Sequence, residues 1–196
     1  MKSVCVFLGS SFGKGEWYVE AAAALGEELA GRGLTTVFGG TDVGLMSVLA
    51  SAALDRGGRV VGIIPRILAE RKMFSHRLTE LHVVESMHER KQLMASVADG
   101  FIALPGGLGT LDEFFDAVTG AQLGFHCKPC GLLNVQGYYD SLFQFLDQAM
   151  GNGFIAPEYR RMIMSSDCAH DLLDLFAAYC PSGQGKWTGE PKSLDH

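Results

Sequence analysis

Phe101-Ile102-Ala103-Leu104-Pro105-Gly106-Gly107-Leu108-Gly109-Thr110 is the stretch that decides how this chain folds. Four successive apolar residues read as a strand buried on both faces, the environment of a parallel sheet covered by helices. Pro105 and the glycines end the strand in a tight turn. The residues that follow, to about Leu123, read as a helix.

The same order of strand, glycine turn and helix recurs to either side. Upstream, Ser3 to Leu8 is apolar at nearly every position and ends in Gly-Ser-Ser. Trp17 to Ala30 is rich in Ala, Leu and Glu with Gly31 and Gly33 beyond it, a helix and its glycine stop. Strand Leu34 to Phe38, helix Gly44 to Arg56 and strand Val60 to Ile64 follow. Residues 66–80 read as a short helix and loop. Strand Leu81 to Val84 then precedes a helix opened by Ser86-Met87-His88-Glu89, a capping-box spacing. Downstream come strand Gly131 to Val135 and helices Tyr139 to Met150 and Ala169 to Tyr179. Six or so strands alternating with helices predict an α/β fold, a doubly wound Rossmann-like parallel sheet with helices on both faces. Its ligands should bind outside the carboxyl ends of the strands. Residues 1–180 read as one domain and residues 181–196 as a flexible polar tail.

Composition narrows the function. The 196 residues are 47% hydrophobic and 19% charged, below the roughly 25% charged of an average soluble protein, which excludes intrinsic disorder. The net charge of -6 offers no general attraction to nucleic acid or anionic membrane. Apolar runs fall far short of the ~20 residues that cross a bilayer, and the N-terminal run is too short for a secretory signal, so a cytoplasmic location is expected. The five cysteines, an odd number, show no disulfide framework. Cys127-Lys128-Pro129-Cys130 has the spacing of a redox pair or half a zinc site. No second close pair accompanies it, and the simpler reading is that Cys130 begins a buried strand.

Three glycine turns, Gly9 to Gly15, Gly39 to Gly44 and Gly106 to Gly109, fall on one edge of the expected sheet. Gly9-Ser10-Ser11-Phe12-Gly13 fits the G-x-S-x-G of serine hydrolases, but only eight residues precede it, too few for the strand and loop that supply the second oxyanion donor. As a Walker loop the same turn is one residue short before Gly13-Lys14, and Gly15 stands where magnesium needs Ser or Thr. A dinucleotide site is disfavoured because the second strand ends in Phe38-Gly39-Gly40 rather than a ribose-binding carboxylate. Pro105 to Thr110 is the better phosphate site, since it leads into a helix N-terminus with unpaired N–H groups and a positive dipole end. A tight turn alone would also explain its glycines. Asp112, Glu113 and Asp116 follow, and Thr110 to Glu113 has a capping-box spacing of its own. Carboxylates there repel phosphate unless they face the sugar. Arg90-Lys91, in the first turns of the helix after Ser86, is the cation pair that could offset them. The two residues point about 100° apart, so they could meet different parts of one ligand.

Pro105 to Glu113 (P-G-G-x-G-T-x-x-E) together with Met87-His88-Glu89-Arg90-Lys91 (M-H-x-R-K) resembles the LONELY GUY (LOG) family, cytokinin riboside 5'-monophosphate phosphoribohydrolases long labelled lysine decarboxylases. The likeness covers residues 3–180, with Gly39-Gly40, Gly44-Leu45-Met46, Ala121-Gln122-Leu123-Gly124 and Gly131 to Val135 also matching. Asp112 stands where many members have Glu, Ser47 where Gly is usual, and Cys127 and Cys130 belong to no family motif. The resemblance implies hydrolysis of the N-glycosidic bond of an adenosine 5'-monophosphate, preferably N6-modified, to free base and ribose 5-phosphate. It implies Arg90 and Glu113 as catalytic residues. Gly106, Gly107, Leu108, Gly109 and Thr110 would bind the phosphate, and Lys91, Asp112 and Met87 would complete the ligand shell. Ser10 and Glu70 are carried over from looser motifs. No metal or organic cofactor is implied. A homo-oligomer, at least a dimer, is expected from the family and from the apolar composition.

Such chemistry suits the residues: cleavage at the anomeric carbon builds positive charge that a fixed carboxylate stabilises while orienting water. Arg90 could bind phosphate or support the departing purine. Met87, Met94 and Met73-Phe74 are candidates to line a pocket for an N6 alkyl group. A lysine decarboxylase would need a Schiff-base lysine with partners for a pyridoxal ring, a constellation the sequence lacks. The rival reading is a nucleotide-binding or carrier protein on the same fold with no turnover.

Overall fold

In the computed structural model, which describes residues 1–180 apart from Lys72 and Ser75, strands and helices alternate. The first half runs β1 (Ser3–Phe7), α1 (Glu16–Gly31), β2 (Thr35–Phe38), α2 (Gly44–Asp55), β3 (Val60–Pro65), α3 (Arg66–Glu70), β4 (Glu80–Val84) and α4 (Met87–Val97). The second runs β5 (Phe101–Ala103), α5 (Leu108–Gln122), β6 (Cys130–Leu133), α6 (Asp140–Gly151), α7 (Pro157–Arg160), β7 (Ile163–Ser166) and α8 (Ala169–Ala177). The polar tail expected over residues 181–196 lies outside the described residues.

The inner strands are buried on both sides, their side chains alternating between two cores because they project with a period of two. Val4, Val6, Ile102, Leu104 and Leu133 join one core with Leu25 and Leu29 of α1, Leu45 and Leu49 of α2, and Leu172 and Phe176 of α8. Cys5, Phe7, Phe101, Ala103 and Leu132 face the other way, into a second core with Met94 of α4, Phe114 and Val118 of α5, and Leu146 of α6. Helices therefore cover both faces, as the uniformly apolar strands predicted.

The strand order is β4-β3-β2-β1-β5-β6-β7, and the paired strands run parallel. From β1 the chain builds outward to β4, then crosses back and builds outward from β5. The order reverses between β1 and β5, so loops after these strands diverge and leave a crevice at their carboxyl ends. There Gly9 N–H donates to the Pro105 carbonyl at 3.2 Å, joining the first and third glycine turns.

The sheet has seven strands among the described residues where the sequence suggested six or so. The additional one, β7, is an edge strand ending in two serines and only partly buried, so it lacks the apolar run that marks the others. Ser86 caps α4 as expected, its Oγ accepting from Glu89 N–H at 3.1 Å, while the Glu89 carboxylate accepts from Glu85 N–H at 2.8 Å. The second expected capping box does not form. Gly107 is the N-cap of α5 and makes no side-chain cap, so Thr110 and Glu113 lie inside the helix and Glu113 is free for another partner.

Candidate active site

The carboxyl ends of β1, β2, β3 and β5 converge on one face of the molecule, and α4 and α5 deliver the charged side chains to it. Arg90, in the first turns of α4, is drawn inward. Its Nε donates to the Ile63 carbonyl of β3 at 3.0 Å, and its Nη1 lies 2.9 Å from Oε1 of Glu113. The two side chains are only 11% and 12% exposed. Gly39, just past β2, leaves the room for this arrangement: a Cβ there would stand 2.0 Å from Arg90 Nη2. The guanidinium is thus fixed on three sides by backbone and carboxylate. Met87 Sδ lies 3.9 Å from Arg90 Nη1, with half of the methionine exposed.

Burial pushes the Glu113 carboxyl above its ordinary value, and the Arg90 charge pulls it back only in part. A carboxylate held this way is poorly solvated and strongly felt by any positive charge that forms beside it. Lys91, one residue on, takes a different direction. Its Nζ lies 3.3 Å from Asp112 Oδ2 and 3.6 Å from Asp116 Oδ2. Burial works against the lysine charge, but the two carboxylates outweigh it and raise the Lys91 pKa. The conflict between acidic residues and a phosphate is resolved in the free protein, because Asp112 and Asp116 are occupied by Lys91.

Gly106 and Gly107 line the crevice at the strand-order reversal, with Gly9, Ser10, Ser11, Phe12, Leu45 and Tyr138, around a cavity of about 310 Å³. Thr110 is buried, and its hydroxyl fills the space over Gly106: a Cβ on Gly106 would come within 2.1 Å of Thr110 Oγ1. Gly107 and Gly109 face open space. Leu108, the first residue of α5, is exposed. From Gly107 to Glu113 the helix rises roughly 9 Å, so the phosphate candidate and the carboxylate lie along one helix, a sugar's reach apart.

A second cavity, about 240 Å³, lies between α4 and α5 over Phe7 and Phe101 and is lined also by Glu113, Lys91, Asp116, Phe125 and His126. Burial, then the Lys128 charge, hold the His126 imidazole below its ordinary pKa.

The structure brings together Arg90, Glu113 and Met87, joins Lys91 to Asp112, and sets Ser10 beside Gly106 and Gly107. Glu70 ends α3 exposed, where its charge acts on Arg66. Met94 is fully buried in the second core rather than lining a pocket, and Phe74 pairs with Thr41 and stacks edge-on with His76. Cys130 is buried at the start of β6 and Cys127 is exposed. Among the described residues no group of three or more His, Cys, Asp or Glu is placed to hold a metal. Tyr138 was missed in the sequence; a Tyr-Tyr pair just past a glycine at the carboxyl end of a strand was the signal available.

A family model described as "Possible lysine decarboxylase" matches residues 46–176. Among characterised relatives, the cytokinin riboside 5'-monophosphate phosphoribohydrolase LOG3 of Arabidopsis thaliana is 47% identical over 180 residues, covering 92% of this chain and 84% of the relative. The cytokinin riboside 5'-monophosphate phosphoribohydrolase LOG of Oryza sativa subsp. japonica is 46% identical, covering 92% and 74%. Among solved structures, the molybdenum cofactor binding protein of Rippkaea orientalis superposes with a TM-score of 0.70 at 21% identity, covering 91% of this chain and 97% of that one, a likeness of fold. With close to half its residues shared across nine-tenths of its length, the chain belongs to the LOG family of phosphoribohydrolases.

Proposed function

We propose that this protein hydrolyses the N-glycosidic bond of adenosine 5'-monophosphates, N6-alkylated ones preferred, releasing free base and ribose 5-phosphate. The observation that carries this reading is the buried Arg90–Glu113 pair one helical turn and a half beyond a glycine-rich helix N-terminus. The phosphate sits on the Gly106 to Thr110 turn, where N–H groups and the α5 dipole favour it. Glu113, desolvated and fixed, faces the anomeric carbon. As the bond to the purine breaks, its negative charge stabilises the cationic sugar and orients the incoming water. Arg90 holds the carboxylate in place, a role added to the phosphate and leaving-group roles its charge also permits. Lys91 is released from Asp112 when the ligand arrives. The apolar cavity between α4 and α5, opening beside Glu113, is the room for an N6 alkyl group.

The working unit is the single domain of residues 1–180, acting in the cytoplasm. It is at least a dimer whose interface helps to build the site. Leu108, Phe125 and Phe154 are 80 to 87% exposed, apolar surface of the kind buried between subunits. A fully active monomer in sedimentation at assay concentration would refute the assembly. The activity is tested by quantifying free base from AMP and N6-isopentenyl-AMP. Tight binding with no base released would favour the carrier reading instead.

A further inference from the structure

Two consecutive tyrosines reach back from the turn between β6 and α6 to the loop after β5. Tyr139, buried, donates its hydroxyl to the Leu104 carbonyl at 2.6 Å. Tyr138, partly exposed in the crevice, donates to the Gly106 carbonyl at 2.7 Å. These acceptors bracket Pro105, which has no N–H of its own to anchor the loop. The turn that presents the tyrosines is itself fixed: Asn134 Oδ1 accepts from Tyr139 N–H at 2.7 Å, and Asn134 Nδ2 donates to Asp140 at 2.8 Å. Gln136 there takes a left-handed conformation, φ 52°, costly for a residue that is not glycine.

Tyr138 also belongs to a row of rings. It meets Tyr139 edge-on at 5.0 Å and Tyr18 at 5.8 Å, and Tyr18 meets Trp17 at 5.9 Å. Tyr18 covers Gly13 and Trp17 covers Gly15, so the row continues onto the Gly9 to Gly15 turn. Both loops that wall the crevice are thereby tied to one aromatic support. Burial pushes the Tyr139 phenol up, which keeps it a donor throughout the neutral range.

A peptide unit is planar, so a hydrogen bond to the Gly106 carbonyl also sets the direction of the Gly107 N–H in the same plane. That N–H is one of the first-turn donors of α5 without an intrahelical partner. We propose that Tyr138 and Tyr139 are positioning residues for phosphate recognition, holding the Leu104 to Gly107 backbone so that the amides at the start of α5 are preset for the 5'-phosphate. This rests on the reading of Gly106 to Thr110 as the phosphate site. The preset geometry avoids an ordering cost on binding, and its loss is felt by ligands that carry the phosphate.

The test is Tyr138→Phe and Tyr139→Phe, each keeping the ring and deleting the donor. Isothermal titration with ribose 5-phosphate should show Kd raised roughly 3- to 10-fold, as the loss of one modest hydrogen bond implies. In turnover, kcat/KM should fall for AMP and stay unchanged for adenosine, with most of the AMP change in KM. A merely structural role would lower both substrates together, and that result overturns the proposal, as does an undiminished preference for AMP in both variants. Should Tyr139→Phe not fold, Tyr138→Phe, at a partly exposed position, decides alone. A wild-type protein that turns over AMP and adenosine equally would overturn the phosphate-site reading itself, a separate failure seen before any variant is made.

Discussion

Glu113→Gln isolates charge from shape. The amide keeps the size of the side chain and an oxygen that can accept from Arg90 Nη1 at the present 2.9 Å. Arg90 also keeps its bond to Ile63, so its own donors keep their acceptors, while the new amide N–H₂ replaces the second carboxylate oxygen. Deleting a partner outright from a buried pair costs about 3–5 kcal/mol. Here the remaining hydrogen bonds and the relief of a desolvated carboxylate should hold the change to about 1 kcal/mol, a Tm shift of roughly 2–4 °C for a chain of this size. Catalysis loses far more, because the removed charge acts on positive charge that exists in the transition state. By analogy with deleting one preorganised electrostatic partner, kcat should fall about 10²–10³-fold while the Kd for AMP stays near wild type. Chromatographic assay of released base, titration calorimetry with AMP and a thermal melt give the three readings. A variant that melts normally, binds AMP normally and turns over within tenfold of wild type would refute the assignment of Glu113.

Three further outcomes follow from the same geometry. Because burial raises the Glu113 pKa and the carboxylate is the active form, kcat/KM should fall with pH through a value above the ordinary ~4.3 of Glu. Between those two values the native state binds the extra proton, so stability should decline as pH rises across that window, a decline absent from Glu113→Gln; an acid limb at or below 4.3 contradicts this. Gly39→Ala places a methyl 2.0 Å from Arg90 Nη2 and should lower kcat about 10²-fold by displacing the pair, with the fold intact by circular dichroism; retained activity would show that Arg90's position is unimportant. A buried five-carbon prenyl group at about 0.8 kcal/mol per CH₂ should favour N6-isopentenyl-AMP over AMP by well over tenfold in kcat/KM, and Ala95→Phe, at the wall of the α4–α5 cavity, should erase that preference. Unchanged selectivity in Ala95→Phe would place the alkyl group elsewhere.

The fold was legible because doubly buried strands leave an unbroken apolar signature, as in Ser3 to Phe7 and Phe101 to Ala103. β7 lacked it, being an edge strand with serines, and α7 is a single turn too short for periodicity to register. At the site, the sequence pointed to candidate residues but not to the partners the structure gives them. Glu113 looked like a cap by its spacing from Thr110, but a helix that starts at Leu108 puts both within its body. Arg90 with Glu113, Lys91 with Asp112 and Asp116, and Tyr138 with Gly106 are pairings across the sheet's helices and loops. Local sequence grammar carries no term for contacts between segments so far apart in the chain. Asp112 illustrates the gap: read alone it repels a phosphate, and read beside Lys91 it does not.

The most direct measurement is the simultaneous quantification of free base, ribose 5-phosphate and orthophosphate from a single adenosine 5'-monophosphate, with wild type and Glu113→Gln in parallel. A phosphoribohydrolase built on Arg90 and Glu113 yields equimolar base and ribose 5-phosphate without orthophosphate, and the variant yields neither at a comparable rate. Orthophosphate as the main product, or bound nucleotide recovered intact from the wild type, would contradict it.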